Sequence, residues 1–331
     1  MRILLVKLSS MGDVVHNLPV VSDIRLARPD AEIDWVVEDA YADLVALHPG
    51  VRQTIRYAGR RWRRAPFASS THAQVRAFLR ALRAESYDAV LDTQSLIKSA
   101  VVTRMARGVR FGWTGPACRE AAASWFYDWR VDAPRFDQVV AVERYRDLAA
   151  RALGYTREGP PRYGLEPAVQ RPAELPPAVP YAVLLTATAR TEKLWPEAHW
   201  IAVARALSAR GCACVLAWGN EVERERAQRV AAAVGDDPSS ASSHAPVRVA
   251  AETYGLVQWA GILAGASVVV GVDTGLVFLA AAVGAPVVSI YVATSPAHVG
   301  VMTMHPHRNL GDAGAPPSVR DVVDAACALM R

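Results

Sequence analysis

The first nineteen residues place a mostly apolar run directly before a polar loop and a helical pattern. The run Ile3–Leu8 predicts a buried parallel strand, and residues 9–12 interrupt it. Asp13 then precedes apolar residues at 14, 15, 18, 21 and 24, which is helical spacing. In α/β proteins such a loop binds ligands at the carboxyl edge of the sheet. The loop has no G-x-G-x-x-G dinucleotide motif, which disfavours a Rossmann-type oxidoreductase.

Length and composition restrict the class of protein. A chain of 331 residues predicts two domains, and 52% hydrophobic with 21% charged residues is a globular composition. The net charge of +5 suits an anionic partner: nucleic acid, a phosphorylated small molecule or an anionic membrane surface. No apolar run reaches the roughly 18 residues of a membrane span, and no signal-peptide pattern is present, so we expect a cytoplasmic protein. The four cysteines lack zinc or redox spacing.

Strand-like and helix-like segments alternate along both halves of the chain. In the first half we predict strands Ile3–Leu8, Glu32–Glu38, Ala89–Thr93 and Val109–Trp113, and helices Val14–Arg28, Ala73–Ala84, Ile97–Ala106 and Val140–Leu153. In the second half we predict strands Tyr181–Thr186, Ala213–Trp218, Val247–Ala250, Ser267–Val272 and Val287–Val292, and helices Ala198–Ala209, Glu221–Ala233, Thr253–Ala264, Leu276–Val283 and Val319–Met330. This alternation predicts two Rossmann-like, doubly wound parallel α/β domains.

A proline-rich stretch separates the two halves. Proline at this density continues neither a helix nor a central strand, so residues 166–180 are predicted to be a semi-rigid linker. The domains are then 1–165 and 181–331, and we expect a cleft between them to hold the substrates. A serine-rich insert at 236–245 is predicted to be a solvent-exposed loop.

Four positions at predicted strand ends are candidates for chemistry. Asp13 is either a helix cap or a general base. Lys193, in a loop with small hydroxyl residues, either binds an anion or is simply solvated. Asp273 and Thr274 either cap a helix or belong to a diphosphate site at its N-terminus. Glu223 either accepts hydrogen bonds from a ribose or is an ordinary surface glutamate.

A basic and aromatic segment, residues 56–67, is the fifth candidate. Its five arginines interleave with Tyr57, Trp62 and Phe67, and Lys98, Arg104, Arg107, Arg110 and Arg119 add positive charge in the same half. Arginine beside aromatic rings suits phosphate groups near an apolar surface. RNA is a weaker alternative, because no known RNA-binding motif is present. A solvated charged face is the third interpretation.

With these sites in place, the chain resembles the lipopolysaccharide heptosyltransferases of glycosyltransferase family 9, and among them the type I group (heptosyltransferase I). The similarity covers nearly the whole length. The segments that carry it are Lys7–His16, Asp34–Glu38, Arg60–Arg63, Tyr87–Asp92, Leu96–Ala100, Lys193–Pro196 and Val272–Leu276. The Ser-Ser-Met-Gly-Asp loop at 9–13 is the segment that separates type I from type II.

The resemblance implies a GT-B fold and an inverting glycosyl transfer that needs neither metal nor cofactor. The donor would be ADP-L-glycero-β-D-manno-heptose, and the acceptor the inner Kdo of Kdo2-lipid A in lipopolysaccharide core biosynthesis. The enzyme would then be peripheral, on the cytoplasmic face of the anionic inner membrane, with no nucleic-acid partner. By matching positions, Asp13 would be the catalytic base. Donor-binding residues would be Thr188, Lys193, Glu223, Asp273, Thr274 and Gly275; acceptor-binding residues would be Ser10, Arg60, Arg61, Arg63, Lys98 and Arg119.

The chain departs from the family pattern on the donor side. Val277 and Phe278 stand where the family has Ser-His, 291–294 reads Tyr-Val-Ala-Thr instead of Tyr-Gly-Pro-Thr, and Ala189 replaces a threonine. A phenylalanine cannot donate a hydrogen bond to phosphate. Two alternatives therefore stay open: another nucleotide-sugar transferase of the lipopolysaccharide core, or a low-activity paralogue that binds Kdo2-lipid A or a nucleotide without efficient turnover.

Overall fold

The computed structural model describes residues 1–235 and 244–330, which form two compact units, Met1–Glu166 and Pro167–Arg331. Each unit contains one six-stranded parallel sheet with helices along it. The predicted fold class, two doubly wound parallel α/β units, is confirmed. The predicted domain boundaries, and the assignment of the acceptor to one domain and the donor to the other, stay predictions.

The first unit has the strand order β3-β2-β1-β4-β5-β6. Its strands are β1 (Arg2–Val6), β2 (Glu32–Glu38), β3 (Val51–Tyr57), β4 (Ser86–Asp92), β5 (Arg107–Trp113) and β6 (Trp129–Val131). Its helices are α1 (Met11–Ala27), α2 (Ala42–Val45), α3 (Gly59–Arg64), α4 (Ser69–Leu82), α5 (Ile97–Met105) and α6 (Ala141–Leu153). The winding reverses between β1 and β4, and ligands of open α/β sheets bind beyond the carboxyl ends of such a strand pair.

The second unit repeats this topology in the order β12-β11-β10-β7-β8-β9. Its strands are β7 (Tyr181–Leu185), β8 (Ala213–Leu216), β9 (Val247–Val249), β10 (Val268–Val272), β11 (Val287–Ile290) and β12 (His307–Leu310). Its helices are α7 (Glu197–Ser208), α8 (Glu221–Gly235), α9 (Leu256–Ala264), α10 (Gly275–Ala282), α11 (Pro296–Val299) and α12 (Val319–Leu329). Here the winding reverses between β7 and β10.

Hydrophobic burial explains why these two strand pairs occupy the centre of each sheet. Residues 3–6 of β1 and 182–184 of β7 have no exposed surface, and β10 is buried along its whole length. Trp195 and Trp200 pack edge to face beside β7, with ring centroids 5.4 Å apart. Burial of this apolar surface is the main driving force for folding. It fixes the backbone at the strand ends, from which the candidate loops emerge.

The structure corrects several predicted boundaries. β1 ends at Val6 instead of Leu8, and α1 begins at Met11, so Asp13 lies inside the first helical turn and not before it. Three strands, β3, β6 and β12, were not predicted from the sequence. All three are edge strands. One face of an edge strand and its outer backbone meet solvent, so the sequence there lacks the long apolar run that marks a central strand.

The proline-rich segment after residue 166 packs on the second unit. The Gln170 amide donates a hydrogen bond to the Gly261 carbonyl (3.0 Å), and the Tyr254 hydroxyl donates one to the Glu174 carboxylate (2.9 Å). Of the predicted solvent loop 236–245, residues 236–243 lie outside the described residues. In the part of the chain that the structure describes, no helix combines the length and the apolar character of a membrane span.

Candidate active site

Asp13 lies at the carboxyl edge of the first sheet, in the turn that joins β1 to α1. Ser10 is the N-cap of α1, and Asp13 is the third helical residue. Its Oδ2 accepts hydrogen bonds from the Ser10 amide (3.2 Å) and the Ser10 hydroxyl (3.0 Å). This is the carboxylate half of a capping box. Asp13 therefore helps to cap α1 as the partner of the N-cap residue Ser10, not as the N-cap itself. Capping uses only one of its two carboxylate oxygens.

The other oxygen, Oδ1, faces two cations and a phenol. The Tyr145 hydroxyl donates a hydrogen bond of 2.6 Å to it, the Lys7 Nζ lies at 3.8 Å and the Arg119 guanidinium at 3.5 Å. The Asp13 side chain is 11% exposed. Four residues from three segments of the first unit thus orient one carboxylate.

The surroundings control the protonation state of Asp13. Burial alone would raise its pKa, but the charges on Lys7 and Arg119 and the hydrogen bonds from Tyr145 and Ser10 hold the pKa well below its usual value. Burial raises the pKa of Tyr145 well above its usual value, so the phenol stays protonated and donates. At neutral pH the carboxylate is therefore ionised and fixed in direction.

Lys7 was not among the predicted site residues. Its side chain is 1% exposed, its Nζ donates to the Thr93 carbonyl (3.3 Å), and it lies 3.7 Å from the centroid of the Tyr145 ring. Burial lowers the pKa of Lys7 from 10.5 to about 7, although the Asp13 carboxylate raises it. A single lysine in an otherwise apolar strand pattern was the available signal. For Tyr145 there was none, because it lies 132 residues from Asp13 in the chain.

The loop beside Asp13 brings together several predicted acceptor-binding residues. Lys98 donates a hydrogen bond from Nζ to the Ser9 hydroxyl (3.0 Å), and Arg119 reaches Asp13 directly. Burial lowers the pKa of Lys98, and the charges of Arg63 and Arg60 lower it further. These arginines therefore lie close enough to act on Lys98. Ser10, Lys98 and Arg119 form one cluster with Asp13.

The predicted acceptor arginines of α3 differ in how they are held. The Arg60 backbone amide donates to the Glu38 carboxylate (3.0 Å), which ties α3 to the carboxyl end of β2. Arg61 pairs with Asp39 at 3.2 Å. Arg63 is exposed and forms no ion pair within the described residues. Of the three, Arg63 has the guanidinium most available to a ligand.

A second cluster lies at the carboxyl edge of the other sheet, where loops follow β7, β10 and β11. The Asp273 Oδ2 pairs with the Lys193 Nζ at 2.6 Å and accepts a hydrogen bond from the Thr294 hydroxyl at 2.8 Å. The Thr188 hydroxyl donates to the Asp273 carbonyl at 3.4 Å. The structure thus brings together three predicted donor residues and adds Thr294, which the predicted site left out.

The start of α10 offers backbone donors to an anion. Thr274 is the N-cap, with φ −145° and ψ 161°, and its side chain makes no capping hydrogen bond. Asp273 is directed to Lys193 and Thr294, so neither of the two residues caps the helix through its side chain. The first amide groups of a helix, here including that of Gly275, have no intrahelical acceptor. This arrangement suits a phosphate group.

Glu223 lies on the first turn of α8, the helix that follows β8. Its carboxylate accepts hydrogen bonds from the Gly219 amide (2.8 Å) and the Asn220 side chain (2.9 Å). Both carboxylate oxygens therefore bind the loop before the helix. Binding of ribose hydroxyls by Glu223 stays a prediction. The hydroxyls would donate to the carboxylate lone pairs that these two hydrogen bonds leave free.

Val277 and Phe278, the two residues of α10 that differ from the family pattern, are both buried. Val277 has no exposed surface, and its Cγ2 lies 2.5 Å from the position that a Cβ on Gly271 would take. Val277 therefore fills the contact between α10 and β10 and does not line a pocket. Phe278 is 7% exposed.

Among the described residues, no group of three or more His, Cys, Asp or Glu side chains is arranged to hold a metal ion.

Similarity to known proteins identifies the family of this chain. The family model "Glycosyltransferase family 9 (heptosyltransferase)" matches residues 75–322. Lipopolysaccharide heptosyltransferase 1 of Escherichia coli K12 is 42% identical over 303 residues, which is 91% of this chain and 90% of that protein. The enzyme of the same name from Pseudomonas aeruginosa PAO1 is 40% identical over 302 residues, 91% of this chain and 81% of that one.

Solved structures show the same similarity. Escherichia coli heptosyltransferase WaaC with ADP superposes with a TM-score of 0.85 at 37% identity, covering 99% of this chain and 100% of that one. The structure of WaaC with ADP-2-deoxy-2-fluoro heptose gives 0.79 at 37% identity, with coverages of 99% and 98%. The chain belongs to glycosyltransferase family 9, the heptosyltransferase family.

Proposed function

We propose that this protein is a heptosyltransferase I that transfers L-glycero-D-manno-heptose from ADP-L-glycero-β-D-manno-heptose to the inner Kdo of Kdo2-lipid A. The transfer inverts the anomeric carbon and requires no metal ion. Two relatives at 40–42% identity carry the name lipopolysaccharide heptosyltransferase 1, and a related structure contains an ADP-heptose analogue. The observation that carries the proposal is the ionised, oriented carboxylate of Asp13 at the sheet edge.

An inverting displacement needs one base and one stabilised leaving group. The acceptor hydroxyl oxygen attacks the anomeric carbon of the donor, its proton moves to an Asp13 oxygen, and the bond to the diphosphate breaks as ADP leaves. Oδ1 of Asp13 already accepts a hydrogen bond from Tyr145, which aims the carboxylate. A positioned carboxylate in this role typically accelerates a reaction by about 10²–10⁴-fold.

The leaving diphosphate would be stabilised by the cluster around Asp273. Lys193 supplies a positive charge, and the amides at the start of α10 supply hydrogen bonds aligned with the helix dipole. Thr188 and Thr294 supply hydroxyl groups beside them. These groups can offset the charge that develops on a phosphate oxygen, which is the task that a divalent cation performs in other transferases.

The acceptor would be bound through the basic residues of the first unit. Kdo carries a carboxylate and lipid A carries phosphates, and Arg63, Lys98 and Arg119 are cations beside or near the Asp13 loop. The same charges would hold the enzyme at an anionic membrane surface. We therefore place the protein in the cytoplasm, peripheral on the inner membrane.

A low-activity paralogue is the second candidate, and the observation in its favour is Phe278. The ring stands one turn from Thr274, where the family has a histidine that can donate a hydrogen bond. The intact cluster of Lys193, Asp273 and Thr294 favours the active enzyme instead.

Purified protein mixed with ADP-heptose and Kdo2-lipid A tests the proposal. We expect stoichiometric ADP release, a product heavier by one heptose, and an α-linked sugar by NMR. Activity should persist in EDTA. Loss of activity in EDTA that returns with Mg²⁺ would refute metal independence, and a β-linked product would refute inversion. Absence of transfer, with retained ADP binding, would favour the paralogue.

A further inference from the structure

An apolar groove in the first unit lies between α3 and the first half of α4. It has a volume of about 530 Å³. Tyr57 and Trp62 line one side of it, Pro66 lies at one end, and Val75 lies on the opposing helix. The volume is within the range of small-molecule pockets, about 300–1,000 Å³. The reaction steps described above use none of these four residues.

The aromatic side of the groove is anchored in the core. Tyr57, Trp62 and Phe78 contact one another, with centroids 5.1 to 5.6 Å apart. Phe78 is 6% exposed, and the Trp62 indole donates a hydrogen bond to the Gln74 side chain (3.1 Å), which satisfies its polar atom. The faces that remain toward the groove are apolar. Phe67, directly after Pro66, is 91% exposed and extends this apolar surface.

Positive charge surrounds the groove. Arg63 and Arg76 line it, and neither forms an ion pair with any residue that the structure describes. By contrast, Arg56 and Arg61 on the same segment are both paired with Asp39. An apolar groove with unpaired guanidinium groups beside it matches a ligand that has an aliphatic chain next to an acidic group.

The groove adjoins the acceptor cluster. Arg63 lines the groove, and α3, which carries Arg63, is tied by the Arg60 amide to Glu38 at the carboxyl end of β2, the neighbour of β1; the charge of Arg63 also lowers the pKa of Lys98. Lys98 in turn donates a hydrogen bond to Ser9, in the loop that carries Asp13. A chain of contacts and charges therefore connects the groove with the proposed base. This continuity favours the lipid acceptor itself over an unrelated lipid.

We propose that the groove binds one acyl chain of the lipid acceptor, while Arg63 and Arg76 bind an acidic group next to that chain. The identity of the acceptor rests on the proposed function, whereas the ability of the groove to bind an acidic amphiphile does not. The groove would then position the lipid so that its sugar reaches Asp13.

A soluble amphiphile tests the groove without any transfer reaction. Dodecyl phosphate, below its micelle concentration, is titrated by calorimetry against the protein, with inorganic phosphate as the headgroup probe. We expect Val75→Asp and the groove-filling Val75→Trp each to weaken dodecyl phosphate binding at least 10-fold. Leu26→Asp, at a 63% exposed leucine on α1, is the matched control and should bind as the unmodified protein does. Unchanged binding in both Val75 variants would overturn the proposal.

Acceptors with and without acyl chains identify the occupant. Val75→Asp should raise the KM for acylated Kdo2-lipid A about 10-fold and leave the KM for the fully deacylated acceptor unchanged. An equal change for both acceptors would contradict an acyl-chain site. Weaker binding to phosphatidylglycerol vesicles with unchanged binding of the acylated acceptor would assign the groove to the bilayer and overturn the proposal. If the unmodified protein transfers no heptose, the proposed function fails. Titration with dodecyl phosphate then still tests whether the groove binds an acidic amphiphile.

Discussion

Lys7 and Asp13 form a buried ion pair directly beyond β1, with the lysine Nζ 3.8 Å from the carboxylate Oδ1. Removing two charges from water costs several kcal/mol per ion, and the pair lies too far apart for a close hydrogen bond. The arrangement is therefore not explained by stability alone. It occurs at the sheet edge where ligands bind, and perturbed titratable groups concentrate at such functional sites.

We predict that Lys7 controls the basicity of Asp13. As a cation it holds the pKa of Asp13 low, which makes the carboxylate a weak proton acceptor. Because the pKa of Lys7 is about 7, its charge is lost as the pH rises through neutrality, and the carboxylate then becomes more basic. Arg119 and Tyr145 also face Asp13, and burial raises the pKa of Tyr145 well above its usual value, so the phenol stays protonated at neutral pH. Transfer should therefore rise through pH 7 with the loss of one proton.

Lys7 variants check this prediction through the pH profile of kcat/KM. Lys7→Met should lack the inflection near pH 7. Lys7→Arg keeps its charge at every pH, so it should lack the inflection too and remain at the low rate. An inflection near pH 7 that persists in both variants would assign it to another group.

We predict that the Lys193 and Thr294 side chains act on donor affinity. Lys193→Ala should weaken ADP-heptose binding about 10- to 150-fold, since a hydrogen bond to a charged group is worth about 1.5–3 kcal/mol. Thr294→Val removes the 2.8 Å bond to Asp273 and should have a smaller effect of the same sign. Calorimetry with ADP and ADP-heptose measures both. Arg320→Ala, at an 89% exposed cation on α12, is the control. Equal affinity in Lys193→Ala and the control would contradict the diphosphate assignment.

A buried histidine should make the first unit less stable in mild acid. His48 is 3% exposed, its Nδ1 accepts a hydrogen bond from the Gly50 amide (3.0 Å), and its Nε2 contacts the Ser22 hydroxyl (3.0 Å). Burial lowers the pKa of His48 from 6.5 to about 4. Between these values the unfolded chain binds a proton that the folded chain does not. The free energy of unfolding should therefore fall as the pH drops from 6.5 to 4, by about 3 kcal/mol in total.

Urea unfolding at several pH values measures this effect of His48. His48→Gln cannot take up the proton, so its free energy of unfolding should change less over the same interval. Parallel curves for the two proteins would show that other groups cause the acid sensitivity.

The central strands of the fold could be predicted from the sequence, whereas of the four edge strands only β9 was predicted. β1, β7 and β10 are buried and mostly apolar, and apolar runs of strand length predict such elements. β3 carries two arginines and a glutamine among its seven residues because it lies at an edge. The start of α1 was missed because Ser10, and not Asp13, is its N-cap.

Site residues that follow strands could be predicted from the sequence, whereas their partners from distant segments of the chain could not. Asp13, Lys193 and Asp273 each lie in the loop or first helical turn that follows an apolar strand, which is a local signal. Tyr145 reaches Asp13 from α6, and Thr294 reaches Asp273 from the loop after β11. Such contacts depend on tertiary packing. A single sequence contains no local or periodic pattern that indicates which distant residues will meet.

The most direct test of the central claim is the transfer rate of Asp13→Asn. Asparagine keeps the shape of the side chain and an oxygen that can accept the Ser10 amide, so α1 should remain capped and the protein folded, with a lower thermal midpoint because Lys7 and Arg119 lose their anionic partner. Asp30→Asn, at an exposed aspartate, is the matched control. If Asp13 is the base, transfer from ADP-heptose to Kdo2-lipid A falls about 10²–10⁴-fold in Asp13→Asn, while ADP affinity and the control stay unchanged. A folded Asp13→Asn protein that transfers heptose at the rate of the control would contradict the account.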